Sequence, residues 1–434
     1  LRTVFPEIDG VPYQRILDTG PDLERAGSGL DVEHVEEDRL ADALTAFASR
    51  GFDLAAETPL RARLFTLAPG EHVLALVLHH IAGDGWSMAP LAGDVITGYL
   101  ARSRGRAPSF VPLPVQYADY ALWQRELLGA EDDPQSLISG QIAFWRAALE
   151  GLPEQLELPV DRPRPAVASY RGGSVPVVVD ARTRQALTAL AREAGASVFM
   201  VVRAALAALL SRLGAGVDIA IGAPVAGRTD EALDDLVGMF VNTLVLRTDV
   251  SEDPAFRELV GRVREADLAA YAHQDLPFER LVEIVNPVRS MARHPLFQVA
   301  LAFQNNPPAT LDVDGLSIGL ERLDPGVAKF DLLVSLTETG GGLEGSLEYA
   351  ADLFDRETAE DIAARFVRLL RAVAADPDLR VGQIEILDES ERRTLLEEWA
   401  GTGTSPGVPA TITEEFEAQV AASPGAVAVV CGSV

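Results

Sequence analysis

Apolar and polar positions along this chain switch between a helical period and a strand period, and no fixed repeat links them. That mixture predicts α/β layers rather than a solenoid. Residues 71–78, EHVLALVL, are a nearly continuous apolar run, which predicts a strand covered on both faces. A helix follows it, with Ser87 as cap and Leu91, Val95, Ile96, Tyr99 and Leu100 on its inner face. Residues 158–173, LPVDRPRPAVASYRGG, lack periodicity and are rich in proline, arginine and glycine, so they predict a crossing between two lobes. Further on, residues 197–213 predict a core helix stopped by Gly214, residues 217–221 and 241–246 predict strands, and residues 254–271 predict a long amphipathic helix. Residues 332–339 and 343–349, joined by three glycines, predict a hairpin, and residues 357–374 a last helix. The expected organisation is a first lobe over 1–170, a second over 171–399, a linker over 400–412, and a new segment over 413–434. That last segment holds an amphipathic helix and the strand AVAVV, with no room to complete a fold.

A chain of 434 residues is longer than one compact core usually requires, which agrees with two lobes. The 37 basic residues against 65 acidic ones give a net charge of −28, which argues against nucleic acid or anionic lipid as a partner. Lys329 is the only lysine, a bias that fits a high-G+C genome. Cys431 is the only cysteine, so no disulfide framework or CxxC metal site is expected. No apolar stretch reaches membrane-spanning length, and LRTVFPEIDG at the start contains no signal peptide, so the expected location is cytoplasmic.

Against this background the segment LHHIAGDGWSM stands out, because His79, His80, Asp84 and Gly85 spell HHxxxDG and point to acyl transfer. Neighbouring strand residues point to opposite faces, so one of the two histidines should face a given cavity; spacing leaves open which. Gly85 should allow a positive φ or a close approach beside Asp84. A buried aspartate needs a cation, and Arg228, in the glycine-flanked loop APVAGRT, is the expected partner. An imidazole can serve as a base at neutral pH, and no serine or cysteine nucleophile signature accompanies it, so direct transfer is expected over a covalent enzyme intermediate. His34, His72 and His294 have no catalytic spacing. His273 should help turn one helix into the next, with Pro277 at the first position of the new helix. Tyr120 and Trp123 read as core anchors of a helix. Arg102, Arg104 and Arg106 form the densest basic patch and end a helix, where cations suit the dipole.

The segments LHHIAGDGWSM, YADYALWQREL, IGAPVAGRTDEALDDLVGMFVNTLVLR, AHQDLPFERLVE and RSMARHPLFQVALAFQN occur in this order, and together they resemble a condensation domain of a nonribosomal peptide synthetase. The resemblance runs from Leu1 to about Trp399, and the tail ATITEEFEAQVAASPGAVAVV is similar to the start of an adenylation domain. By this resemblance the chain opens partway through the family's second motif, so the opening helix and first strand of the lobe would precede Leu1. The resemblance implies two chloramphenicol-acetyltransferase-like lobes in a V-shaped pseudo-dimer with a central tunnel. The implied reaction is attack by the amine of an acceptor aminoacyl thioester on a donor aminoacyl or peptidyl thioester, forming an amide. His80 would sit in the tunnel, as base or as positioning group, with His79 packed behind it. Trp86, Ser87, Asn242 and Gln304 would line the tunnel, and Tyr349 would lie near the segment that latches one lobe over the other. No cofactor would be bound directly; substrates would arrive on the 4′-phosphopantetheine arms of an upstream donor and a downstream acceptor carrier domain, beside an adenylation domain. Carrier docking would use Arg102, Arg104 and Arg106. The small Ala82 and Gly83 resemble the form that takes an L-configured donor. The alternatives are an epimerization domain or other HHxxxDG acyltransferase, and a non-catalytic module that docks a partner. An epimerization domain would use a later glutamate, and a docking module is usually marked by a damaged histidine motif; here both histidines are intact.

Overall fold

The computed structural model describes residues 1–20, 22–23, 26–27, 29–304, 315–319, 326–400 and 411–427. A first lobe is built on three strands, β1 (Leu30–His34), β2 (Leu60–Ala68) and β3 (Glu71–Leu78), in the order β1-β2-β3. Helix α1 (Leu40–Ala48) packs Leu44 and Phe47 on Phe65 of β2 and on Val73, Ala75 and Val77 of β3. The other residues of β3 do not share that cover: Leu74 and Leu76 are exposed. The strand expected to be covered on both faces is therefore covered on one, because it is the last strand of its sheet and alternation sends every second side chain away from α1.

Helix α2 (Met88–Ser103) follows. Ser87 stands at its N-cap position, but its side chain makes no cap hydrogen bond. Of the inner face expected for α2, only Leu91 is buried, while Val95 and Tyr99 are exposed. Helices α3 (Tyr117–Leu128) and α4 (Leu137–Ala148) come next.

The second lobe is organised on six strands: β4 (Gly172–Asp180), β5 (Asp218–Val225), β6 (Asn242–Asp249), β7 (Val299–Gln304), β8 (Leu332–Thr339) and β9 (Gly342–Ala350). Their order is β6-β5-β7-β8-β9-β4, with β7 parallel to both its neighbours and the other pairs antiparallel. The predicted hairpin is β8–β9. Helices α5 (Ala181–Glu193), α6 (Val198–Arg212), α7 (Phe256–Tyr271), α8 (Phe278–Val285) and α9 (Arg356–Ala375) complete the lobe. The Ser197 hydroxyl accepts the Met200 N–H at 3.2 Å to start α6, and Gly214, at φ +95°, lies just past its end. All of its residues from Met200 to Leu210 are buried, including Arg203, which meets Asp267 of α7 at 2.6 Å.

The lobe boundary expected at residue 170 lies too far along the chain by packing. Ile138, Ile142 and Trp145 of α4 already share one apolar cluster with Ala220, Leu244 and Ala300 of the second sheet, and the Trp145 indole donates to the His273 carbonyl at 2.8 Å. Residues 158–171 hold no regular strand or helix and are tied to the second lobe, where Arg164 Nη1 donates to Asp331 Oδ1 at 2.9 Å and Ser169 Oγ to Asp352 at 2.7 Å.

The chain divides into two compact units, Leu1–Ile384 and Glu385–Val434. In the second unit, Asp388 caps a short helix, Glu389–Arg393, by accepting from Ser390 and Glu391 N–H at 2.8 Å each. Helix α10 (Ile412–Ala422) starts on a capping box between Thr411 and Glu414, and none of its residues is buried. The expected linker over 400–412 lies mostly outside the described residues, as does most of the expected strand AVAVV. Among the described residues no single helix is long and apolar enough to cross a membrane, and no group of three or more His, Cys, Asp or Glu could hold a metal ion.

Candidate active site

Strand β3 ends at Leu78, and the chain turns at once into a single 3-10 turn, His80–Ala82. This early exit decides the fate of the histidine pair. Both His79 and His80 line one cavity of about 600 Å³. Strand alternation does not apply to them, because His79 is the extended residue that opens the 3-10 turn rather than a paired strand residue. The two rings nevertheless differ in what they do. His79 Nδ1 accepts the Ile81 N–H at 3.1 Å, and its ring meets Phe52 edge-on with centroids 5.7 Å apart. Accepting at Nδ1 places the proton of the neutral ring on Nε2. Burial, and then the neighbouring His80, lower the proton affinity of His79. The His80 side chain is exposed, and among the described residues its ring has no hydrogen-bond partner. An imidazole with open nitrogens at a cavity wall can accept a proton from a bound amine, or hold that amine in place.

Asp84 sits below the pair and is fully enclosed. Its Oδ1 accepts from Ser87 N at 2.9 Å and Ser87 Oγ at 2.8 Å, and lies 3.3 Å from Arg228 Nη2. Its Oδ2 accepts the Phe240 N–H at 3.0 Å. The single Ser87 hydroxyl proton is shared between Asp84 Oδ1 and the Gly238 carbonyl, 2.9 Å away, and the same oxygen accepts the Gly238 N–H at 3.1 Å. The Arg228 guanidinium donates to the Leu233 carbonyl and lies over the Phe240 ring at 4.1 Å. The turn that carries the histidines is thus fastened to the segment between β5 and β6 through one buried aspartate. Tyr117 adds a further tie, donating to the Met239 carbonyl at 2.7 Å. Burial raises the Tyr117 phenol to about 12, with Tyr120 and Asp84 as smaller causes. Burial first, and then Asp275, raise that of Tyr120. Both phenols therefore remain hydrogen-bond donors at neutral pH.

Gly85 does not take a positive φ, and close approaches are seen at Gly83 and Gly227. At Gly83 a Cβ would fall 2.2 Å from Leu78 Cδ2, and at Gly227, where φ is +65°, it would fall 1.9 Å from the Phe240 carbonyl oxygen. A side chain at Gly83 would force the histidine turn away from the end of β3, and one at Gly227 would force the Arg228 loop away from Phe240 within its own segment.

The remaining expected tunnel residues divide sharply. Asn242 lines the cavity, but all of its amide is engaged: Nδ2 donates to the carbonyls of Gln274 and Leu276 at 2.8 and 2.7 Å, and Oδ1 accepts from Thr243 and Phe278 N–H. It fixes the start of α8 below the cavity floor. Trp86, Ser87, Gln304 and Tyr349 do not line the cavity. Trp86 belongs to the turn into α2, past the 3-10 turn. Ser87 is wholly buried in the Asp84 network. Gln304 ends β7, exposed and in register with Thr337. Tyr349 of β9 is buried opposite β4, where its phenol oxygen would lie 2.5 Å from a Cβ at Gly173. Arg102, Arg104 and Arg106 are exposed around the C-terminal end of α2 and do not line this cavity.

Several cavity residues were not expected. Trp123, read as a core anchor, is nearly half exposed and borders the cavity, whereas Tyr120 is buried as expected. Asp275, from AHQDLPFERL, also borders it, with Oδ2 accepting from Gln141 Nε2 at 2.6 Å. Pro277 is the N-cap of α8 rather than its first residue. His273 stacks on Phe144 at 3.9 Å and hydrogen-bonds the Ala269 carbonyl. Lys329 lines the cavity too; its being the only lysine in the chain is the signal the sequence carries for it.

Known proteins share this arrangement over nearly all of its length. The chain is 52% identical over 437 residues to a dimodular nonribosomal peptide synthase of Bacillus subtilis, covering 99% of this chain and 18% of that protein. It is 47% identical over 444 residues to an isonitrile lipopeptide synthase of Mycobacterium tuberculosis, covering 100% of this chain and 18% of that protein. The chain thus spans under a fifth of the length of these relatives. Among solved structures, the X-domain in complex with OxyB from teicoplanin biosynthesis is 39% identical, with a TM-score of 0.82 over 90% of this chain and 85% of that one. The fold is the two-lobe α/β architecture of the chloramphenicol acetyltransferase type that such neighbours share. The condensation-domain model matches residues 1–396, and the chain belongs to that family.

Proposed function

We propose that the 600 Å³ cavity is where a donor aminoacyl or peptidyl thioester meets the amine of an acceptor aminoacyl thioester, and that the product is an amide. The observation that carries this reading is the exposed His80 ring, open at both nitrogens on the cavity wall while its neighbour His79 is held by Ile81 and Phe52. In the reaction the amine nitrogen attacks the thioester carbonyl, the tetrahedral carbon collapses with loss of the donor thiol, and His80 takes the amine proton or holds the amine for attack. Asp84 and Arg228 do not touch the reactants in this scheme; they position the histidine turn. Substrates arrive on the 4′-phosphopantetheine arms of donor and acceptor carrier domains. Arg102, Arg104 and Arg106, cations without carboxylate partners among the described residues, are the surface offered to an acidic carrier. An L-configured donor agrees with the small Ala82 and Gly83 before Asp84, and an adenylation domain continuing from the tail agrees with a family match that stops at residue 396. The setting is cytoplasmic.

A docking module is the alternative from a different class, and the likeness to an X-domain whose solved structure holds OxyB favours it. The intact histidine pair speaks for catalysis. A single-turnover assay separates the two readings: loaded donor and acceptor carriers are mixed with the protein and dipeptidyl thioester is followed by mass spectrometry. The expected result is product with the wild-type chain and a loss of about 10²-fold or more in His80→Ala at unchanged carrier affinity. A folded protein that binds carriers and yields no product with any pair would move the assignment to docking.

A further inference from the structure

Lys329 lies where two cavities meet. It lines the cavity of His80 and also a second cavity of about 210 Å³. The second cavity is bordered by three arginines, Arg164, Arg171 and Arg293, and by two carboxylates, Asp331 and Asp352. Each arginine already has an acidic partner: Arg164 grips Asp331, Arg293 reaches Glu154 at 3.1 Å, and Arg171 lies 3.7 Å from Asp352. Lys329 has none among the described residues, in a chain whose net charge is −28. Its backbone is held firmly: Ala328 N–H donates to the Tyr170 carbonyl at 2.9 Å, Asp331 N–H to the Gln298 carbonyl at 3.0 Å, and Ala328 is buried where Gly172 leaves room for it. The Arg171 guanidinium, though near Asp352, is largely exposed. An exposed lysine without a carboxylate partner among the described residues, its backbone held at a cavity junction with a second accessible cation on the same cavity, is an arrangement that selects oxyanions.

We propose that the second cavity is an anion subsite, in which a phosphate or carboxylate carried by the substrate is bound by Lys329 and Arg171 while the rest of that substrate runs past Lys329 into the cavity of His80. This rests on the reading that the larger cavity holds the reacting groups. Because Lys329 is the only lysine, acylation by an amine-reactive ester, followed peptide by peptide by mass spectrometry, reports on that one side chain apart from the terminal amine. The probes are 4′-phosphopantetheine, pantetheine, and the glutamyl and glutaminyl thioesters of pantetheine.

Slower labelling of Lys329 by 4′-phosphopantetheine but not by pantetheine supports the subsite and identifies phosphate as the anion. Protection by the glutamyl but not the glutaminyl thioester supports it with a side-chain carboxylate as the anion. Equal labelling under all four probes overturns it. In the carrier assay, Lys329→Gln is expected to raise KM about tenfold with kcat little changed, and Lys329→Arg to restore it. An unchanged KM in Lys329→Gln also overturns the subsite. Labelling needs no turnover, so its result stands even if no amide is formed, and amide formation dependent on His80 stands even if Lys329 proves idle.

Discussion

At the scale of single residues, the two histidines of one motif perform different tasks because the strand stops one residue before them. His79 is an acceptor for the turn that presents His80. That task requires an unprotonated Nδ1, and burial lowers the proton affinity of the same ring. The consequence for stability has a definite sign. Between its folded and unfolded pKa values the unfolded chain binds more protons, so stability rises with pH there. The contribution is complete above the unfolded value near pH 6.5 and is lost as pH falls through the lowered folded value. The melting temperature should therefore drop on acidification below about pH 6.5. His79→Asn, which offers an untitratable acceptor, should drop less steeply. Parallel melting curves across that range would remove His79 as the source; His294, also lowered by burial, is present in both proteins and cancels in the comparison. The motif was legible from the sequence, and so was the Asp84–Arg228 pairing, since a buried carboxylate needs a cation and few were placed in a glycine loop. The division of labour within the pair was not, because it depends on where a hydrogen-bonded ladder ends.

At the scale of elements, the site is the joint between the turn after β3 and the segment from Gly227 to Phe240. Asp84 and Arg228 are both buried, so removing one leaves the other charge enclosed, at about 3–5 kcal/mol. Arg228→Met and Asp84→Asn should each destabilise strongly, and in a double-mutant cycle by chemical denaturation they should couple by about 1–3 kcal/mol. Strict additivity would show that the contact does not hold the joint. Gly227→Ala tests by shape how the segment from Gly227 to Phe240 closes on itself. Its Cβ would strike the Phe240 carbonyl in a left-handed backbone, so a loss of at least about 1 kcal/mol is expected, read as a lower denaturation midpoint. Wild-type stability in the Gly227→Ala variant would contradict the close approach. Periodicity located β3, β5, β6, the β8–β9 hairpin and helices α2, α6, α7 and α9, but it gave no expectation for β1, β2, β4, α1, α4 or α5, and it misjudged faces. Val95 and Tyr99 of α2, Trp123 of α3, and Leu74 and Leu76 of β3 are apolar by type and exposed by position, since apolar type alone does not say which side has a neighbour. Tyr349 and Gln304 were carried over by resemblance, and the strands that hold them place both away from the cavity.

At the scale of the whole molecule, the second lobe rests on a helix that is buried along its length and carries a charge at its centre. Arg203 of α6 meets Asp267 of α7, and it also donates to the Leu246 carbonyl and Thr248 Oγ1 of β6, so a single side chain joins two helices to the sheet. Arg203→Leu alone should lower stability by about 3–5 kcal/mol, while Arg203→Leu with Asp267→Leu should recover much of that loss. A double variant no more stable than the single one would mean that the pair acts through packing rather than charge. In the sequence Arg203 is the one charged residue of the run 198–210, and its partner lies on another helix, so spacing does not reveal the pair. The lobe count was legible from length and from the irregular crossing, but the packing boundary was not, since α4 belongs to the sheet that follows it in the chain.

The claim to which all of these scales lead is that His80, and not His79, acts on the substrate amine. The most direct measurement compares single-turnover rates of amide formation for the wild-type chain, His79→Asn and His80→Ala, with the same pair of loaded carriers. His80→Ala should lose about 10²-fold or more while His79→Asn stays within about tenfold. Equal losses in the two variants, or a His80→Ala rate near wild type, would contradict the assignment.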